Sequence, residues 1–123
     1  MKEGDISKRQ YIVAESDSAV ALGSGGLMVF GTPALVAKME QTALEMVKPD
    51  LEEGTDTVGI EINVKHVKAT AIGKPVDVEA KIVKIDGRKI CYEITATDDK
   101  GDVIGTAYHE RFVVIKERFM SKL

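Results

Sequence analysis

The chain has 123 residues, 44% hydrophobic and 30% charged, and a net charge of −3 at pH 7, which suits one domain built on one sizeable core. Lys and Arg are spread along the chain, which argues against nucleic acid as a partner, because phosphate binding needs a clustered basic footprint. No stretch approaches the length of a membrane span, no apolar run follows Met1-Lys2-Glu3-Gly4-Asp5, and Cys91 is the only cysteine. Neither a membrane partner, a signal peptide, an internal disulfide nor a cysteine metal cluster is therefore expected, and a reducing, cytoplasmic setting is the simplest reading.

Residues 1–9 are polar and read as loose. Gln10 to Glu15 reads as a short strand. Ser16 to Gly31 is irregular and contains Gly23-Ser24-Gly25-Gly26, which lacks the spacing of a P-loop and its Lys-Ser/Thr. It is read as a mobile loop, a flap over a site, with Phe30 its only aromatic residue.

Thr32-Pro33 then opens a helix running from Ala34 to about Lys48, with Thr32 as N-cap and Pro33 at the first helical position. At about 100° per residue, Val36, Met39, Ala43, Met46 and Val47 gather on one side, with Leu35 and Leu44 on its flanks. Lys38, Gln41, Glu45 and Lys48 gather opposite. Glu40 breaks the sorting, because it falls inside the apolar stripe. A carboxylate there is costly to bury unless it is paired or protonated.

The helix stops before Pro49. Residues 57–67 alternate, with Val58, Ile60, Ile62 and Val64 on one face and Glu61, Asn63 and Lys65 on the other; His66 continues the inward series. Residues 69–75 connect. Val76 to Ile85 and Lys89 to Thr97 are strands joined at Asp86-Gly87, a hairpin signal. Asp102 to Lys116 is a long last strand, and 117–123 a polar tail. The order is strand, loop, helix, then four strands in an antiparallel meander. The class is α+β, since an antiparallel sheet wrapped around one central helix buries that helix best.

Val29-Phe30-Gly31-Thr32, Met39-Glu40, Gly59-Ile60, His66-Val67-Lys68-Ala69-Thr70 and Gly105-Thr106-Ala107-Tyr108-His109-Glu110-Arg111 together resemble the hotdog-fold acyl-CoA thioesterases, and most closely their fluoroacetyl-CoA branch. The similarity runs from about residue 29 to 119, and the separations 40 − 32 = 8 and 66 − 40 = 26 both fit that branch. The resemblance implies a hotdog fold and hydrolysis of a short-chain acyl-CoA, with Thr32, Glu40 and His66 as the catalytic set. It places the backbone of Gly59 at the site, gives Arg111 a supporting role and puts Phe30 in the substrate-facing loop. It implies no cofactor beyond the coenzyme A of the substrate, no metal, and a homodimer or tetramer that pairs sheets edge to edge, with sites near the interface. One departure stands out: the branch carries bulky aromatic residues in the loop, where this chain has only Phe30.

Each residue also has a plainer reading. Thr32 can be a helix cap, Glu40 a core carboxylate paired to Arg111, and His66 a satisfied core histidine. In the functional reading, Thr32 or a water attacks the thioester while Glu40 and His66 move the protons. His109 and Glu110 read as a structural pair, and Cys91 as a free thiol. Two other functions compete. One is a hotdog hydratase or dehydratase, faintly echoed in Glu61-Ile62-Asn63 before His66; the other is a non-catalytic acyl-CoA-binding module.

Overall fold

The computed structural model describes residues 1–123. Strand β1 (Ile6–Ile12) is followed by helix α1 (Thr32–Val47), then β2 (Thr55–His66), β3 (Pro75–Asp86), β4 (Lys89–Thr97), β5 (Val103–Ile115) and a short helix α2 (Lys116–Ser121). The five strands form one antiparallel sheet in the order β1-β3-β4-β5-β2, and α1 packs on one face of it. Ala34, Leu35, Met39, Thr42, Ala43 and Val47 are the buried residues of α1. They meet Val76, Val78, Ala80 and Ile82 of β3 and Ile90, Tyr92, Ile94 and Ala96 of β4 in one core of 17 buried residues. This is the expected sheet-around-a-helix architecture. No helix is long and apolar enough to cross a membrane.

Several boundaries and pairings differ from expectation. β1 begins at Ile6, inside the stretch read as loose. Its side chains are mostly exposed, so no hydrophobic alternation marks it, and its backbone pairing with β3 (Ile6↔Lys81 to Ile12↔Pro75) makes it a strand. The four later strands are not a simple meander. Only β3, β4 and β5 follow one another; β1 forms one edge of the sheet, and β2 pairs with β5 and forms the other. The chain crosses from that edge through residues 67–74, where the Val67 and Lys68 amides both donate to the Ile104 carbonyl. The tail, read only as polar, forms α2 over most of its length.

β2 itself departs from a regular strand. A bulge at Gly59–Glu61 leaves Ile60 without a partner on β5. One extra residue shifts the alternation by one, so Thr57 is buried before the bulge, while Ile62, Val64 and His66 face inward after it. Val58 and Ile60 therefore do not share the face of Ile62 and Val64, and Ile60 is exposed.

Segment 16–31 is tied down at its base rather than free along its length. Ser18 bridges to Phe30 and Val29 to Ala71, the Phe30 amide donates to the Thr70 carbonyl, and the Gly31 amide donates to that of Asp17. Phe30 is 2% exposed and belongs to the core. Val20, Leu22, Leu27 and Met28 are the exposed apolar residues of this segment.

Candidate active site

α1 starts one residue earlier than its sequence suggests. Gly31 is the N-cap, Thr32 and Pro33 are the first helical residues, and no side chain caps the end. The expectation that Thr32 caps the helix is therefore wrong: at this position its hydroxyl does not reach back to the helix amides. It meets Nδ1 of His66 instead, at 2.8 Å. His66 is the last residue of β2 and is half-buried. Burial lowers its pKa below the ordinary histidine value, opposed by the nearby Lys68 backbone. Its Nε2 is buried and unpartnered. The edge of the Phe30 ring stands against the imidazole, with centroids 6.3 Å apart at 75°. Thr32, His66, Phe30, Gly31, Ala19 and Val67 line a cleft of about 300 Å³.

The cleft also receives the amino end of α1. The first N–H groups of a helix have no partner inside it and carry the positive end of its dipole. Pro33 has no N–H, so the amides of Thr32 and Ala34 remain to face a developing oxyanion.

Glu40 lies eight residues further on (40 − 32), about 12 Å along the helix axis, and faces a different cleft. Its side chain is 40% exposed, and Oε2 stands 3.5 Å from the NH1 nitrogen of Arg111, which is 7% exposed. It sits at the border of the buried stripe rather than within it. A Cβ built on Gly59 would come within 2.7 Å of Oε2, so the carboxylate occupies space that only a glycine leaves. Glu40, Gly59, Ile62 and His109 line this second cleft, of about 220 Å³.

Arg111 is anchored from three directions. Its Nε donates to Thr57 Oγ1 at 2.8 Å, NH2 donates to the Thr57 carbonyl at 3.0 Å, and NH1 lies 3.2 Å from Nε2 of His109. His109 is 1% exposed, its Nδ1 stands 2.7 Å from the Glu61 carbonyl oxygen, and its ring stacks on Tyr92 with centroids 5.8 Å apart. It therefore belongs to the Glu40 cleft. The sequence reading missed it by treating it with Glu110 as a structural pair, although His109 and Arg111, two residues apart on a strand, share an inward face. Glu110 points the other way and accepts from Tyr108.

The structure thus joins Thr32 to His66, and Glu40 to Arg111, Gly59 and His109, but separates the two groups. They lie at opposite ends of β2. The Glu40–Arg111 pairing of the plainer reading is present. Glu61 is exposed and faces Asn63 at 3.4 Å, away from His66, which does not suit a hydratase acid. No three His, Cys, Asp or Glu side chains come together to hold a metal ion.

An antiparallel sheet wrapped on one helix is the architecture of the hotdog acyl-CoA thioesterases. The chain belongs to the fluoroacetyl-CoA-specific thioesterase family (FlK), whose model matches residues 13–117. The fluoroacetyl-CoA thioesterase of Streptantibioticus cattleyicolor is 36% identical over 95 residues, 77% of this chain and 68% of that protein. A crystal structure of a mutant of the fluoroacetyl-CoA-specific thioesterase FlK is 30% identical and superposes with a TM-score of 0.94, over 99% of this chain and 94% of that one. The mutant in complex with fluoroacetate and CoA gives 0.89 at 30% identity, over 97% and 99%. A thioesterase superfamily member of Thermus thermophilus, at 22% identity, superposes with a TM-score of 0.88 over 98% and 89% and shares the fold.

Proposed function

We propose that this chain hydrolyses a short-chain acyl-CoA thioester at a site completed by a second copy of itself. The single observation that carries the composite site is the placement of the two groups at opposite ends of the edge strand. β2 has an unpaired side, and a two-fold axis near Ile62 and Asn63, midway between Gly59 and His66, would pair β2 with its copy antiparallel. Each Thr32–His66 couple would then lie beside Glu40 and Gly59 of the partner subunit.

At that site the Thr32 hydroxyl, or a water bound beside it, attacks the thioester carbonyl carbon. Its proton passes to the neutral imidazole of His66. Charge develops on the carbonyl oxygen, toward the free amides at the start of α1. The carbon–sulfur bond then breaks and the CoA thiolate leaves; it is a weak base and needs little acid assistance. Where Thr32 is the nucleophile, a water repeats the attack on the acyl ester and frees the acid. Glu40 of the partner subunit supplies the carboxylate that orients this second water and takes up its proton; where water attacks the thioester directly, Glu40 of the partner subunit orients it and His66 takes the proton. No cofactor beyond the coenzyme A of the substrate and no metal is needed, and the buried free thiol of Cys91 suits a reducing, cytoplasmic setting.

Mixing two inactive variants tests this. Glu40→Gln and His66→Ala, unfolded together and refolded at equal amounts, give half heterodimers, each with one intact and one doubly altered site. Thiol release from acetyl-CoA or propionyl-CoA is expected to return to about a quarter of wild type, against a loss of at least about 10²-fold for either variant alone. No recovery in the mixture would overturn the shared site. No thiol release by the wild type would overturn the hydrolase.

A further inference from the structure

We infer that His109, as a neutral imidazole protonated at Nδ1, is a positioning residue of the proposed thioesterase: it holds the Arg111 guanidinium at a distance from Glu40 and pins the Gly59–Glu61 bulge against the same carboxylate. The inference rests on the hydrolytic reading of the site.

The two neighbours of the ring fix its protonation. The Glu61 carbonyl, 2.7 Å from Nδ1, can only accept, so Nδ1 carries the hydrogen. The Arg111 guanidinium, 3.2 Å from Nε2, can only donate, so Nε2 keeps its lone pair. A second proton would put an imidazolium against the guanidinium in a buried place. Burial and the Arg111 charge both push the pKa of His109 down, against the opposing hydrogen bond to Glu61.

A ring so held is a strut with three ends. Through Nδ1 it grips Glu61, the residue that closes the bulge after Gly59. Through its face it rests on Tyr92, whose hydroxyl donates to the Ala43 carbonyl of α1 at 3.1 Å. Through Nε2 it draws on Arg111. That last contact sets the distance to Glu40. A free guanidinium–carboxylate pair closes to about 2.7–2.9 Å, whereas here NH1 stands 3.5 Å from Oε2. Thr57 holds Nε and NH2 and His109 holds one of the two NH1 hydrogens; these anchors keep the guanidinium short of the carboxylate, which is loosely paired and has its oxygens available to a substrate water. Without the acceptor at Nε2, NH1 can close on Glu40 and occupy the oxygen that the reaction needs.

Three measurements decide the matter. ¹⁵N spectra of wild-type protein should show His109 with a protonated Nδ1 and a bare Nε2 from about pH 6.5, the ordinary histidine pKa, to about pH 9. His109→Leu, which fills the space but accepts nothing, should lower kcat by about 10- to 100-fold, the usual loss when a supporting partner goes, with KM within about threefold of wild type. His109→Gln, whose amide oxygen can accept from Arg111, should recover most of kcat. A hydrogen on Nε2 or titration of the ring within that range would overturn the inference. So would a folded His109→Leu or His109→Gln protein with wild-type or equally depressed kcat, respectively. A wild type that releases no thiol overturns the proposed function and the role of His109 in turnover with it, while an active wild type with unaffected variants overturns the role of His109 alone.

Discussion

The hydroxyl of Thr32 stands 2.8 Å from Nδ1 of His66 and makes no cap to its own helix. A helix-capping threonine costs about 1 kcal/mol when replaced by alanine, but this one has no such contribution to lose. Thr32→Ala should therefore melt close to wild type and still lose at least about 10²-fold in kcat, while Thr32→Ser, which keeps the oxygen, should retain much more activity. Equal rates for Thr32→Ala and wild type would remove Thr32 from the chemistry.

Glu40 and Gly59 form a matched pair. Glu40→Gln keeps the shape and removes the charge, so turnover should fall at least about 10²-fold in a protein that folds and assembles normally. Gly59→Ala tests the same pair from the other side. The added methyl would meet Oε2 at 2.7 Å, and the carboxylate is the flexible partner and must move. Activity should drop in a folded protein. A fully active Gly59→Ala enzyme would show that the position of this carboxylate does not matter.

The two histidines bias the protein toward neutral and alkaline pH. Both His66 and His109 have folded pKa values lowered first by burial, so below about 6.5 the unfolded chain binds more protons than the folded one. Their contribution to stability is complete above about pH 6.5 and is lost as pH falls toward the depressed folded values. Melting temperature should thus fall between about pH 7.5 and about pH 5.5, a window above that of Asp98 and Glu110, whose pKa values are lowered. The acid limb of kcat should lie below about 6.5, because in the proposed mechanism the neutral imidazole of His66 accepts the proton. His66→Gln should flatten the melting curve's dependence on pH across that window; an unchanged slope would assign it to other groups.

Much of this arrangement was legible in the sequence where local chemistry decides it. The apolar spacing of α1, the Asp86-Gly87 turn and the alternation of β3 and β4 each act over a few residues; Glu40 and His66 stood out as polar groups in apolar series, and Thr32 was marked by its place at the helix start and by the family resemblance. Pairing β2 with β5 rather than β3 depends on contacts across the chain, which no local period reports. The bulge was hidden because Val58, Ile60, Ile62 and Val64 alternate without a break in the sequence, while the extra residue turns the first two away. The Thr32 cap was misplaced by one residue, enough to turn its hydroxyl from the helix amides toward His66. The separation of Thr32 from Glu40 follows from helix rise alone, but its meaning required seeing them face opposite ends of one strand.

Substrate choice turns on the wall around the Thr32–His66 cleft. One methylene contributes only about 1–3 kcal/mol to discrimination, and sharper selection needs a closed pocket that touches the acyl group. In segment 16–31 the one aromatic side chain, Phe30, is 2% exposed and committed to the core. It packs against the His66 ring and leaves little of its surface to an acyl carbon. Val29 is half-buried and lines the cleft, whereas Val20, Leu22, Leu27 and Met28 are exposed and stand around a tip rich in glycine. Such a wall is apolar but loose. We therefore expect modest selectivity among short acyl-CoA thioesters and no strong preference for the fluorinated one. The measurement is kcat/KM for acetyl-, propionyl-, butyryl- and fluoroacetyl-CoA under one condition. A preference for fluoroacetyl-CoA over acetyl-CoA above about 10⁴-fold, beyond what a loose apolar wall supplies, would mean that groups outside the segment recognise the fluorine, and Arg111 beside Glu40 would be the first to replace.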